Sequence, residues 1–275
     1  MKIILSMLFA MLLFPLHALQ ETTQPDPVVL RALLIGSDSF ITQENTYPIA
    51  KNNLNNLQEL LSQDARHYQD IRILYEEINH PDKLAQAVNE CFADADGNDI
   101  SLFYFSTHGI MDPDVTGLYL SDGQEENLLH PEQLSVILTN IPGQKILLLD
   151  ACNSGAFIGK GIEALSPRHP FTAPDIHVIT SAGGCEASWQ WQSSGSNTAG
   201  GTSYFSALLM NGLGGYHAAD INKDNTVTIN ETYAFLLENC ASSTPHRYPE
   251  DAQDAPLFLY HPEDSHALPP VSALT

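Results

Sequence analysis

Apolar residues fall in blocks along this chain, and the blocks have two periods. Val28 to Ile35 is a nearly continuous branched run that stops at Gly36. A run of that kind is the mark of a strand buried on both faces. Asn53 to Arg66 instead carries Leu54, Leu57, Leu60 and Leu61 at helical spacing. Ile71 to Tyr75 predicts a second strand. Pro81 to Ala95 predicts a helix with Leu84, Val88 and Cys91 or Phe92 on one face, with Pro81 suited to its first turn. Ile100 to Phe105 is a third strand, followed by a hairpin pattern at Leu118 to Gly123 and a helix over Pro131 to Leu138. Lys145 to Leu149 and Ile176 to Thr180 are further apolar strands. Residues 159–175 read as a surface loop and 183–202 as a long shaped loop. Helices follow over Thr202 to Gly212 and Glu231 to Asn239, and Leu257 to Tyr260 is a last short strand. Six strands alternating with helices predict an α/β fold, a mostly parallel six-stranded sheet with helices on both faces. Functional groups in such sheets gather at the carboxyl ends of the strands.

The chain ends qualify this picture. Lys2 precedes an apolar run from Ile3 to Leu16, and Leu16-His17-Ala18 offers cleavage after Ala18. This is the pattern of an export signal over residues 1–18, so a secreted or periplasmic protein is expected. The run is short for a membrane span, and no other stretch approaches the ~20 apolar residues a spanning helix needs, so no integral membrane protein is expected. Residues 19–27 then read as a loose leader, 28–262 as one domain and 263–275 as a tail. Of 275 residues 43% are hydrophobic, a globular composition, while the formal charge of −22 opposes binding to nucleic acid. The four cysteines, Cys91, Cys152, Cys185 and Cys240, are too few for a disulfide scaffold and contain no C-x-x-C pair. Cys91 falls in a helical pattern and reads as core. A working thiol at Cys152 would leave three, enough for one disulfide at most.

Two strands run straight into chemistry. The third ends in Ser106-Thr107-His108-Gly109, and the fourth in Asp150-Ala151-Cys152. An imidazole and a thiol, 44 residues apart and each just past a strand, suit a strand–helix–strand unit that brings both to one rim of the sheet. Gly109 leaves its backbone N–H open to a substrate oxygen, and the Cys152 N–H is the natural second oxyanion donor. A phosphatase-type loop would place Arg six residues after the cysteine; residue 158 is Ile.

The two halves together resemble the caspase, metacaspase and legumain group of cysteine peptidases. In that group an apolar strand precedes His-Gly, and a second precedes a small residue and Cys. Asp150-Ala-Cys-Asn-Ser-Gly155 is close to the Asp-x-Cys-His-Ser-Gly of metacaspases, and bacterial metacaspase-like enzymes are the nearest likeness. The resemblance implies a three-layer caspase-like fold and hydrolysis of peptide or protein substrates. It also implies a substrate pocket at the position two before the nucleophile, where Asp150 would favour cleavage after Arg or Lys. Legumain-like enzymes carry Glu there and prefer Asn, so an Asn or Asp preference, or transpeptidation, is the alternative. A loop-stabilising role for Asp150 has equal weight. Asp38, just past the first strand, is a candidate second carboxylate. Trp189 and Trp191 lie where the group builds its substrate groove; packing of the loop itself is the competing reading. Arg168 falls where caspase relatives are cut between subunits, a candidate site of self-cleavage.

A second feature lies outside that resemblance. Asp220, Asn222, Asp224 and Glu231 occupy positions 1, 3, 5 and 12 of an EF-hand calcium loop, with the Thr226 carbonyl at position 7. Asn225 replaces the usual Gly at position 6 and tolerates the left-handed conformation needed there. Calcium is the expected cofactor, against an Asp- and Asn-rich turn without metal. A calcium-dependent binding module on a peptidase fold is the non-catalytic alternative.

Overall fold

The computed structural model describes residues 27–44, 48–112, 114–162, 169–192, 200–214, 217–250 and 254–263. The export-signal pattern of residues 1–18, the candidate cleavage site Arg168 and the tail from 264 lie outside the described residues. Among them, no helix is long and apolar enough to cross a membrane.

The apolar runs become the sheet. β1 (Leu30–Gly36) is followed by α1 (Ile49–Leu61), β2 (Asp70–Tyr75), α2 (Pro81–Cys91) and β3 (Ile100–Ser106). A meander of β4 (Gly109–Asp112), β5 (Val115–Ser121) and β6 (Glu126–Leu129) leads to α3 (Pro131–Thr139). β7 (Gln144–Asp150), a 3-10 turn over Ser154–Ile158 and β8 (Ile176–Thr180) follow. Next come a hairpin of β9 (Gln190–Gln192) and β10 (Gly201–Ser203), then α4 (Tyr204–Leu213). The described chain closes with β11 (Thr226–Thr228), α5 (Ile229–Asn239), β12 (His246–Tyr248) and β13 (Pro256–Leu259). The six-stranded sheet has the order β12-β8-β7-β3-β1-β2, parallel throughout except for β12.

Side chains alternate across this sheet, so each strand feeds two cores. Ala32, Leu34, Leu102, Tyr104, Ile146 and Leu148 point to α1, α4 and α5. Leu33, Ile35, Phe103, Phe105, Leu147 and Leu149 point to α2 and α3. That double burial is why the strands read as unbroken apolar runs. Both α2 and α3 begin with His-Pro. The His80 ring accepts from Asp82 N–H at 3.1 Å, and His130 makes a capping box with Gln133, while each proline needs no donor in the first turn.

Three expectations are corrected. The sixth strand of the sheet is β12, not Leu257 to Tyr260; that segment, as β13, pairs antiparallel with β11 in a separate ribbon. The loop expected over 183–202 contains the β9–β10 hairpin. The helix expected from Asn53 starts four residues earlier, because a distant carboxylate, Asp38, caps it and no local capping side chain marks its start.

Leu102 on the central strand β3 has no exposed surface. Leu102→Ala should lower stability by about 2–5 kcal/mol, read as a fall in the urea midpoint at unchanged slope. A change under about 1 kcal/mol would mean this core is not packed as described.

Candidate active site

β3 and β7 are parallel neighbours, and the last paired residues are Ser106 and Asp150. His108 and Cys152 therefore each stand two residues beyond the same rung. Thr107 N–H donates to Asp150 O at 3.3 Å, which keeps the chains together as they leave the sheet. Beyond this point Gly109 lies so close to Cys152 that a Cβ there would sit 2.0 Å from Cys152 O. Glycine is required here by close approach of two backbones. Tyr119 N–H donates to His108 O at 2.9 Å, so Gly109 and Leu118 form a non-hydrogen-bonded pair of the β4–β5 ladder. The Gly109 N–H is thus turned away from β5.

The segment after Cys152 is pinned. Asn153 takes φ 57° and donates from N–H to Glu186 O at 2.8 Å and from Nδ2 to Gly184 O at 2.9 Å. A Cβ on Gly155 would meet Ala182 O, Gly184 N and Lys160 O, all at 2.8 Å. The Asn-Ser-Gly that follows the cysteine is therefore explained by turn geometry and packing.

His108 is half-buried. Its Nε2 lies 3.1 Å from Glu44 O, and its ring packs on Phe40 with centroids 4.5 Å apart. With the proton on Nε2 donated to that carbonyl, the lone pair sits on Nδ1. Cys152 Sγ accepts from Ser188 N–H at 3.3 Å. The two catalytic candidates do not hydrogen-bond to one another, as is common before substrate tightens such contacts. Burial pushes the Cys152 thiol above its ordinary value; the Ser188 N–H pulls it down, and the Asp150 charge adds to the rise.

Asp150 is 4% exposed and ringed by hydroxyls. Its Oδ2 accepts from Tyr104 at 3.0 Å, Ser206 at 2.7 Å and Ser203, while Oδ1, among the described residues, accepts only from Ser188, at 3.3 Å. Burial raises its pKa, and these donors oppose the rise. No Lys or Arg reaches it among the described residues. Ser203 caps α4 and Ser206 is in its first turn, so one helix terminus holds the carboxylate. Asn53 ties the same group to β3, donating to Ser106 Oγ at 3.0 Å and accepting from Thr202 Oγ1 at 2.7 Å.

Asp38, expected as a second carboxylate of this pocket, holds the start of α1. Its oxygens accept from Ile49, Ala50 and Lys51 N–H at 2.8–3.1 Å, and it also lines a narrow crevice with Ser106, His108 and Gln190. Trp189 and Trp191 are 58% and 52% exposed beside β9, so they do not pack the loop interior. All four cysteines are free thiols, and Cys91, the last residue of α2, is half-buried near Asp70 and packs against the α2–α3 core. Tyr104, Ser188, Ser203, Ser206 and the Glu44 carbonyl escaped the sequence reading. A lone tyrosine in an apolar strand and the Ser-x-x-Ser cap at 203–206 were the available signals; a loop carbonyl leaves none.

The acidic loop lies between α4 and α5, with β11 inside it. Asn225 takes φ 67°, the left-handed conformation expected at position 6. The side-chain oxygens serve the loop's own N–H groups. Asp220 accepts from Asp224 and Asn225, Asn222 from Asp224, and Asp224 from Thr226. Glu231 closes the capping box of α5 with Thr228 and lies 3.4 Å from Asn222 N. Among the described residues no three His, Cys, Asp or Glu side chains are gathered to hold a metal ion.

The caspase-domain family model matches residues 30–234. The chain belongs to the caspase family. It is therefore of the cysteine peptidase class, acting on peptides or proteins. Protein GSU0716 from Geobacter sulfurreducens superposes with a TM-score of 0.55 at 11% identity, covering 85% of this chain and 100% of that one. Caspase-1 from Spodoptera frugiperda gives 0.50 at 14%, covering 80% and 86%. These likenesses show the fold, including the mostly parallel six-stranded sheet. No curated protein sequence matches the chain.

A caspase-family thiol shielded from water and held by one N–H should be protonated at neutral pH. Burial disfavours the anion, so the pKa is raised and reactivity should climb with pH. Alkylation of Cys152 by iodoacetamide should inflect above the ordinary thiol value of about 8.5. An inflection below about 7 would indicate a resting thiolate–imidazolium pair.

Proposed function

We propose that this caspase-family chain is a cysteine endopeptidase that cleaves after Arg or Lys, with Cys152 as nucleophile and His108 as base and acid. The observation that carries the basic preference is Asp150. It is a buried carboxylate on the face shared with Tyr104 and α4, held by neutral hydroxyls and, among the described residues, without a basic partner. Three donors crowd Oδ2, and Oδ1 has one. A substrate ammonium or guanidinium would add the opposite charge that burial makes valuable, while an acidic side chain would meet repulsion.

His108 takes the thiol proton as the sulfur attacks the scissile carbonyl carbon. The carbonyl oxygen gains the charge and is met by the N–H groups of Gly109 and Cys152. The tetrahedral intermediate collapses to a thioester, and the imidazolium gives its proton to the departing amine. Water, activated by the imidazole, then hydrolyses the thioester and restores the thiol. The exposed Trp189 and Trp191 are suited to flank apolar substrate residues.

Residues 1–18 support export, which completes a reading as a secreted, metacaspase-like enzyme. For the acidic loop we propose weak calcium binding. The donor set fits: Asp220, Asn222, Asp224, the Thr226 carbonyl and Glu231 carry the oxygens, and the left-handed Asn225 makes the turn. Glu231 would leave its capping box with Thr228 to join the ion, an exchange that costs about 1 kcal/mol and keeps the site weak. Calcium would crosslink α4 to α5.

Fluorogenic peptides ending in Arg or Lys should be cleaved far faster than those ending in Asp or Asn. Asp150→Asn should lower kcat/KM for the arginyl substrate by roughly 30-fold or more, in line with the loss of a buried charge pair. Faster cleavage of Asp- or Asn-ending peptides would overturn the preference. Millimolar calcium should raise Tm relative to EDTA, and Glu231→Gln should abolish the rise; an unchanged Tm in the native sequence would remove the site.

A further inference from the structure

The residues after β1, Ser37 to Glu44, form a strap over the imidazole. The strap supplies both groups that hold the His108 ring: the Phe40 face, centroids 4.5 Å away, and the Glu44 carbonyl, 3.1 Å from Nε2. It has no helix or strand of its own over these residues. Its position must come from outside it.

The meander supplies that. Ser121 Oγ donates to Ser39 O at 2.7 Å, and Gln43 Nε2 donates to Tyr119 Oη at 2.9 Å. The strongest anchor is one carboxylate. Glu126, at the start of β6, accepts from Ile41 N–H at 2.8 Å on Oε2, and from Thr42 N–H at 3.3 Å and the Thr42 hydroxyl on Oε1. Both oxygens are committed to two consecutive strap residues, and hydrogen bonds to an ionised acceptor are the stronger kind. From Thr42 only one residue intervenes before the carbonyl that meets His108. The same meander fixes the histidine's main chain, through Tyr119 N–H on His108 O and Thr107 Oγ1 on Tyr119 O at 2.7 Å. One small sheet thus sets the backbone of His108 directly and its ring through the strap.

We propose that Glu126 is a positioning residue for His108, acting through the strap and the Glu44 carbonyl. This rests on the reading of His108 and Cys152 as the catalytic pair. Glu126 touches neither substrate nor the reacting atoms. Its effect is on where the imidazole points and on how well the imidazolium is stabilised once it forms. Misplacement of a catalytic group by about 1 Å can cost ~100-fold in rate.

The test measures kcat and KM on an arginyl fluorogenic peptide, with Tm as a check on folding. Glu126→Ala should lower kcat by about 10–100-fold with KM within about 3-fold. Glu126→Gln, which keeps an acceptor oxygen, should recover part of the lost kcat. Thr42→Val breaks the same link from the strap side and should act in the same direction but more weakly, and it decides the matter if Glu126→Ala does not fold. A Glu126→Ala enzyme with native kcat would overturn the proposal. So would a loss carried by KM at native kcat, or a fall in kcat that Glu126→Gln leaves wholly unrecovered. Cys152→Ala and His108→Ala separate the two levels of the argument. If either retains full activity, the catalytic pair itself fails, and the role of Glu126 with it. If both are inactive while Glu126→Ala is native, the role of Glu126 alone is wrong.

Discussion

β3 and β7 run parallel, hydrogen-bonded side by side in the middle of the sheet, and their pairing ends at Ser106 opposite Asp150. Everything chemical in this chain hangs on that register. Two residues further on, one strand presents an imidazole and the other a thiol, and Gly109 packs against the Cys152 carbonyl with no room for a methyl group. A slip of one residue would turn every side chain of one strand to the opposite face and separate the pair; in β7 it would carry Asp150 toward the α2–α3 core. The two hydrophobic cores are what forbid that slip. The apolar packing that makes the fold therefore also places the catalytic candidates.

The polar groups around the site divide the remaining work. Above the sheet edge, backbone donors and acceptors dominate: the Glu44 carbonyl on His108, the Ser188 N–H on Cys152, the Gly109 N–H turned away from β5. These groups are fixed before substrate arrives, which is what stabilising a developing charge requires. Below the edge lies a buried carboxylate surrounded by hydroxyls. Burying Asp150 is costly, and among the described residues no cation offsets the cost. A cationic substrate side chain, as proposed, would offset it.

Much of this organisation was visible in the order of residues, for a physical reason. Strands buried on both faces must be apolar at nearly every position, so five of the six sheet strands stood out from Val28 to Thr180. Strand ends in such sheets are where polar groups emerge, so His108 and Cys152 drew notice at once. What stayed hidden has the opposite character. β12 is three residues long and half-buried, and only its pairing with β8 makes it a strand. That Asp38 holds the start of α1 was hidden because nothing local shows that the helix begins eleven residues away. Ser188, Ser203 and the Glu44 carbonyl act through loop and backbone geometry, which side-chain identity does not encode. In the acidic loop the spacing of oxygens was legible, but the competition between Glu231 as a helix cap and Glu231 as a ligand was not.

The central claim is that Cys152 is the nucleophile, driven by His108 and addressed through Asp150. Treating the protein at neutral pH with a peptidyl-arginyl chloromethyl ketone, then taking intact mass and a peptide map, addresses all three at once. The account predicts a single adduct on Cys152, formed much more slowly with the aspartyl analogue and lost in His108→Ala. Labelling of the exposed Cys185 in its place, or of Cys152 at the same rate without His108, would contradict it.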